Sequence, residues 1–157
     1  MNLYSTRKFK PASYIMKFKF LDHTADIKFQ AFGDSLEECF ENAAFALVDI
    51  VCKEKIKTII KKDIKVEGND LEELLYNFLE EFLFLIDSKN FILGKVKKTK
   101  IYKKNDKYHL HLEVLGDNLK NYQTETGIKA ITYNEMWVTS PSEDGGKKFV
   151  CQVVVDV

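Results

Sequence analysis

Residues 17–51 read K-F-K-F-L-D-H-T-A-D-I-K-F-Q-A-F-G-D-S-L-E-E-C-F-E-N-A-A-F-A-L-V-D-I-V, and a change of period inside this stretch sets the fold class. From Lys17 to Phe20 lysine and phenylalanine alternate, so Phe18 and Phe20 share one face of a strand and the lysines share the other. A polar connection, Asp22 to Asp26, leads into a second alternating run through Ile27, Phe29, Ala31 and Gly33. Ser35 then opens a helix, with Glu38 three residues later completing a capping box. Leu36, Cys39, Phe40, Ala43, Leu47, Ile50 and Val51 fall on one helical stripe. Lys53, Lys55 and Lys57 would favour the helix dipole if the helix runs that far.

Outward from this stretch the same reading continues. Thr58–Glu67 predicts a strand bent near Lys61–Asp63, and Gly68-Asn69-Asp70 a turn into a second helix capped by Asp70 and Glu73. Leu71, Leu74, Leu75, Phe78, Leu79, Phe82, Leu83 and Ile86 give that helix a broad apolar surface, which marks it as the more buried of the two. Four strands follow, at 92–103, 107–115, 128–139 and 149–156, with a hairpin turn at Asn105-Asp106 and a polar loop from Pro141 to Gly146. The order ββαβα and then four strands predicts a single two-layer α+β domain over residues 16–157. Its sheet or sheets would be mixed or antiparallel, with both main helices packed on one side. Strict βαβ alternation is missing, which excludes a doubly wound nucleotide fold. No internal repeat is evident. Residues 1–15 lie outside the pattern and are expected to form an optional or disordered extension.

Composition narrows the function classes. With 24 basic and 24 acidic residues the formal charge is zero, so any nucleic-acid contact must come from a local patch. The three cysteines show no C-x-x-C spacing, which argues against a disulfide framework and a four-thiolate zinc site. No apolar run is long enough to span a membrane and no signal-peptide pattern is present, so a cytoplasmic protein without membrane contact is expected. Phosphate-binding glycine loops, G-x-S-x-G and H-E-x-x-H are absent from the sequence.

Three segments could carry chemistry. Asp22, His23, Thr24 and Asp26 crowd polar groups between two apolar strands, either as backbone caps or as a site. Val153-Val154-Val155 ends on Asp156 and Val157, so Asp156 and a terminal carboxylate could give hard oxygen ligands to a divalent cation, with Asp26 as their partner. In Gly127–Met136, strand alternation puts Lys129 on the face of Ile131, Tyr133 and Glu135, making it a candidate semi-buried cation. His109 and His111 alternate on one strand face but have no evident third ligand.

Taken in order, F-L-D-H-T-A-D-I at 20–27, Gly33, the helix at Leu36–Phe45, Glu73-Leu74-Leu75, K-A-I-T-Y at 129–133 and V-V-D-V at 154–157 resemble the archease family, from Met16 to the last residue. One departure is Asn134, where the family usually has a histidine. The resemblance implies a non-catalytic partner of the RtcB-type RNA ligase of tRNA splicing, not an enzyme. Such a partner promotes guanylylation and repeated turnover of the ligase and meets tRNA indirectly through it. The resemblance also implies a divalent-cation site at Asp26, Asp156 and Val157, with calcium the first expectation and magnesium or manganese the alternatives. Asp22, His23 and Lys129 would be the ligase-activating residues. Two other readings stand beside it. The lysines from Lys95 to Lys107, interleaved with Tyr102 and Tyr108, could form an RNA-binding hairpin, although strict alternation scatters them over both faces. A metal-dependent hydrolase would use Asp22, His23 and Asp26 but lacks an evident nucleophile–base pair.

Overall fold

The computed structural model describes residues 3–4, 16–141 and 146–157. Alternation and capping place the elements: β1 (Leu3–Tyr4), β2 (Phe18–Leu21), β3 (Ile27–Gly33), α1 (Leu36–Val51), β4 (Ile60–Gly68), α2 (Leu71–Lys89), β5 (Phe91–Lys104), β6 (Lys107–Asn118), β7 (Ala130–Thr139) and β8 (Phe149–Asp156). They form two antiparallel sheets, one ordered β1-β2-β3-β8-β7 and the other β4-β6-β5. The α+β class is as expected. Both helices touch strands of both sheets, and their apolar faces merge with the strands into one core around Phe29, Phe40, Leu47, Phe78, Ile92 and Leu112. Among the described residues no helix is long and apolar enough to cross a membrane.

The expectation that no internal repeat exists is corrected. Gly33-Asp34-Ser35-Leu36-Glu37-Glu38 and Gly68-Asn69-Asp70-Leu71-Glu72-Glu73 sit at two equivalent strand-to-helix junctions. The Ser35 and Asp70 side chains accept the Glu38 and Glu73 N–H groups, and Glu38 and Glu73 reach back to the Asp34 and Asn69 N–H groups. Asn42 and Asn77 then donate to Phe32 O and Glu67 O at 2.7 and 2.8 Å. Each helix also ties down the other sheet. Glu37 accepts from Ile101 N on β5, and Glu72 from Val138 N on β7. The domain is therefore two βαββ units, with β4-α2-β5-β6 inserted between α1 and the β7–β8 pair of the first. The repeat is hidden in the sequence because only the junction residues are shared, while the packing positions differ.

Four local expectations change. α1 is the more buried helix, with nine of its sixteen residues buried against eight of nineteen in α2, because Ala43, Ala44 and Ala46 let it pack closely between sheets. It ends at Val51, capped by Cys52 N–H on Val48 O, so Lys53, Lys55 and Lys57 lie beyond its last turn. Around Lys61–Asp63, where a bend is expected, β4 keeps continuous pairing, without a register shift from Ile60↔Gly116 to Gly68↔Tyr108. The irregularities lie elsewhere, in β5 around Gly94 and Lys97 and in β7 between Thr132 and Trp137. Asn105 and Asp106 do form the hairpin turn, with φ 54° and 62°. Of the expected extension, Leu3–Tyr4 pairs with β2 at Phe20 and Lys19; the rest of it, and most of the loop after Pro141, lie outside the described residues.

Candidate functional site

Strand pairing assembles the site from three distant parts of the chain. Ile27 pairs with Val155, so Asp26 and Asp156 follow directly at the same end of the β3–β8 ladder. On the other side of β8, Ala130 and Ile131 pair with Asp156 and Val155, and Lys129 N donates to Asp156 O at 2.8 Å. Asp26, Asp156 and Lys129 thus share one sheet end. The same end of the duplicated sheet carries Lys61 and Leu115, next in register to Lys62↔Val114, so the fold itself does not require carboxylates there.

The connection before β3 is strained. Asp26 N donates to Thr24 O at 2.8 Å across Ala25, whose φ is 67°. This γ-turn has a positive central φ, a conformation that an alanine adopts at a cost of about 1–3 kcal/mol. Beside it lies a pocket of about 340 Å³ lined by Phe20, Asp22, His23, Asp26, Ile50 and Glu125, among others. Asp26 and Asp156 are half-buried at this end.

His23 is held, not presented. Its Nε2 lies 3.1 Å from Glu135 Oε2, while its buried Nδ1 has no hydrogen-bond partner among the described residues. Glu135 also accepts from Lys28 Nζ at 3.1 Å, and its carbonyl accepts from Gln152 Nε2 at 2.8 Å. Lys28 first and His23 second hold the Glu135 carboxyl below its usual range. Glu135 belongs to an excursion of β7 in which Tyr133, Asn134, Glu135 and Met136 lie opposite the single residue Val153, with φ 55° at Glu135. Tyr133, half exposed, stacks on Tyr76 of α2 at 4.1 Å between ring centroids. Burial first, and the carboxylates of Glu73, Asp70 and Glu80 with the neighbouring Tyr76, push the Tyr133 hydroxyl pKa up.

Two sequence expectations fail here. Lys129 is exposed and precedes β7, so it is not a semi-buried cation on the face of Ile131; regular alternation starts only at Ala130. The excursion likewise abolishes the predicted alternation, since Tyr133, Asn134 and Glu135 are all exposed. Glu135 as the partner of His23 was missed. Its signal, a polar Tyr-Asn-Glu run inside an otherwise apolar strand, is weak.

Among the described residues, no group of three or more His, Cys, Asp or Glu side chains is placed to hold a metal ion. The side chains at the sheet end supply two carboxylates, Asp26 and Asp156. This is a hard-oxygen set whose chemistry fits calcium, magnesium or manganese better than zinc, provided that main-chain or terminal oxygens complete it.

These segments also carry the likeness to known proteins. Residues 18–157 match the family model described as Archease protein family (MTH1598/TM1083). The chain belongs to the archease family. It is 39% identical to protein archease of Methanosarcina barkeri over 144 residues, covering 90% of this chain and 96% of that protein. It is 40% identical to protein archease of Pyrococcus furiosus over 139 residues, covering 87% and 95%. The solution structure of Methanobacterium thermoautotrophicum protein 1598 superposes with a TM-score of 0.75 at 32% identity, covering 90% of this chain and 99% of that one. A Thermotoga maritima crystal structure, described as an archease and possible chaperone, shares the fold at TM-score 0.56 and 22% identity. Archease membership fits an accessory protein that acts through a partner.

Proposed function

We propose that this archease is a non-catalytic activator of an RtcB-type RNA ligase in tRNA splicing, promoting guanylylation of the ligase and its repeated turnover. The observation that carries the reading is the shared sheet end. Asp26, Asp156 and Lys129, distant in sequence, meet beside a pocket bordered by the Asp22-His23 loop. Asp26 and Asp156, with Val157 beside them, would hold a divalent cation, which when bound supplies concentrated positive charge for phosphoryl chemistry on a partner. Lys129, exposed beside them, is free to meet an anionic group of that partner. His23 clamps the loop to Glu135 and so fixes where Asp22 and Asp26 point. Its ring has one nitrogen engaged and the other buried, which leaves neither placed to take a proton from a substrate; this argues against the hydrolase reading.

The test is a ligation assay with purified cognate ligase in limiting amount, GTP, and RNA ends bearing 2′,3′-cyclic phosphate and 5′-hydroxyl. Adding this protein should convert a single round of joining into many, and Asp26→Ala or Asp156→Ala should abolish the gain. Turnover of the ligase that is indifferent to the protein would refute the proposal. Phosphoester hydrolysis by the protein alone would favour an enzyme instead.

A further inference from the structure

The second sheet turns one face to the helices and leaves the other uncovered among the described residues. Leu110, Leu112 and Val114 of β6 point into the core, so His109, His111 and Glu113 point outward. Register then builds rows across the outer face. Lys65 and Lys100 flank His111, Glu67 and Tyr102 flank His109, and Asp63 and Lys98 flank Glu113. Strict alternation would separate Lys95 from Lys98 and Lys100. The bulge at Lys97 inserts one unpaired residue and brings all three to this face. Lys95, Lys98 and Lys100 therefore share one surface, while Lys103, paired with Tyr108, keeps to the other face as alternation expects.

Two grooves adjoin at His111, one of about 450 Å³ along Lys65, Glu67, Tyr102 and His109, the other of about 250 Å³ along Lys98, Lys100 and Glu113. Lys65 and Lys100 stand roughly 9.5 Å apart, two strand spacings, on either side of the groove floor. The carboxylate of Glu67 is already engaged by Lys107 at 3.2 Å and His109 at 3.7 Å. Among the described residues, Lys65, Lys98 and Lys100 make no ion pair, and they give the face an excess of positive charge in a chain with none overall. Tyr102 and His109 stack at 5.2 Å with 14° between their planes, and Lys100 Nζ lies over the Tyr102 ring at 5.2 Å.

The duplicated sheet is an internal control. Its equivalent rows are Gln30-Gln152-Trp137 and Phe32-Val150-Thr139, with a side-chain hydrogen bond from Gln30 to Gln152. The fold thus does not need lysines or a histidine–tyrosine stack at these places. Lys65 and Lys100 stand on the two edge strands, where lysine also guards against aggregation; edge protection does not explain the Tyr102–His109 ring stack, whose histidine belongs to the central strand.

We propose that the outer face of β4-β6-β5 binds single-stranded RNA, the Lys65, Lys98 and Lys100 ammonium groups meeting phosphates while an unpaired base stacks on Tyr102 in the place of Lys100. An acidic protein surface would match the charge but has no use for the flat ring platform. Base stacking on aromatic rings does, and it requires unpaired bases.

The experiment is fluorescence anisotropy with the full chain, no ligase, and a fluorescein-labelled single-stranded RNA of about 12 nucleotides. Without ligase, its outcome is independent of the activator role. Binding at low salt should weaken as salt rises. K65A/K100A should lower the slope of log affinity against log salt by about 1.4, two phosphate contacts at roughly 0.7 each. Y102A should weaken binding about tenfold while changing the slope little. All three side chains are exposed, so thermal melts of the variants should match the parent; Lys55→Ala, an exposed lysine outside this face, is the control. The proposal is overturned by an absence of binding at low salt, by equal loss in the control, by equal affinity for a base-paired duplex, or by poly-glutamate competing as well as RNA.

Discussion

Replacing Gly33 by alanine tests the way the two sheets are bolted to their helices. A Cβ at Gly33 would lie 2.3 Å from Cys39 N and 2.8 Å from both Glu38 C and Ser35 O, all backbone atoms of the first helical turn. Ordinary van der Waals contact begins near 3.4 Å, so β3 and the start of α1 must separate by about 1 Å. Neither can yield cheaply, since Phe29 and Ala31 on β3 and Cys39, Phe40 and Leu47 on α1 have no exposed surface. Overpacking of this kind costs roughly 1–3 kcal/mol. The unfolded chain loses some freedom with alanine, which returns about 0.4–1 kcal/mol. The middle of the two ranges leaves a net loss of about 1.3 kcal/mol, a fall in melting temperature of roughly 3–5 °C for a domain of this size. Urea unfolding followed by circular dichroism reads it. Gly127→Ala is the control, because nothing lies within 4 Å of a Cβ built there. Gly68→Ala, with Leu74 N at 2.5 Å, should behave like Gly33→Ala if the two junctions are equivalent. A Gly33→Ala protein as stable as the Gly127→Ala control would refute both the packing argument and the duplicated-junction reading.

Asp26→Ala and Asp156→Ala should abolish ligase activation with little change in the metal-free melting temperature, because both side chains lie at the end of the ladder and outside the buried core; differential scanning calorimetry with and without calcium checks this. Glu135 has a depressed folded pKa, so its contribution is present above the ordinary carboxylate range near 4.5 and is lost as pH falls through the lower folded value. Tyrosine fluorescence, reporting the Tyr76–Tyr133 stack, should change through that acid window in the parent and not in Glu135→Gln. Tyr122→Phe removes the hydroxyl that donates to buried Asp117 at 2.6 Å and accepts from Lys57 N at 2.9 Å. That hydroxyl is the main cause of the depressed Asp117 pKa, so the variant should melt lower at neutral pH and lose less on acidification.

The sequence by itself determined the pieces. Ser35 with Glu38, and Asp70 with Glu73, start the helices because a side chain three residues from its target N–H reaches it wherever the rest of the chain goes. Phe18 and Phe20 on one strand face, and the Asn105-Asp106 turn, are likewise local. The ordered set of short phrases from Phe20 to Val157 was enough to indicate the family. What only the tertiary structure decided is which pieces meet. Asp26 and Asp156 come to one sheet end because β3 pairs with β8 at one particular register, a choice made by burial of Phe29, Ala31, Cys151 and Val153 together. The bulges at Lys97 and Tyr133–Met136 reset which face each later side chain occupies. A strand has a period of two, so one inserted residue reverses every assignment beyond it, and nothing in the local pattern says where the insertion falls. Those parity shifts carried Glu135 to His23 and brought Lys95, Lys98 and Lys100 of β5 onto a single face.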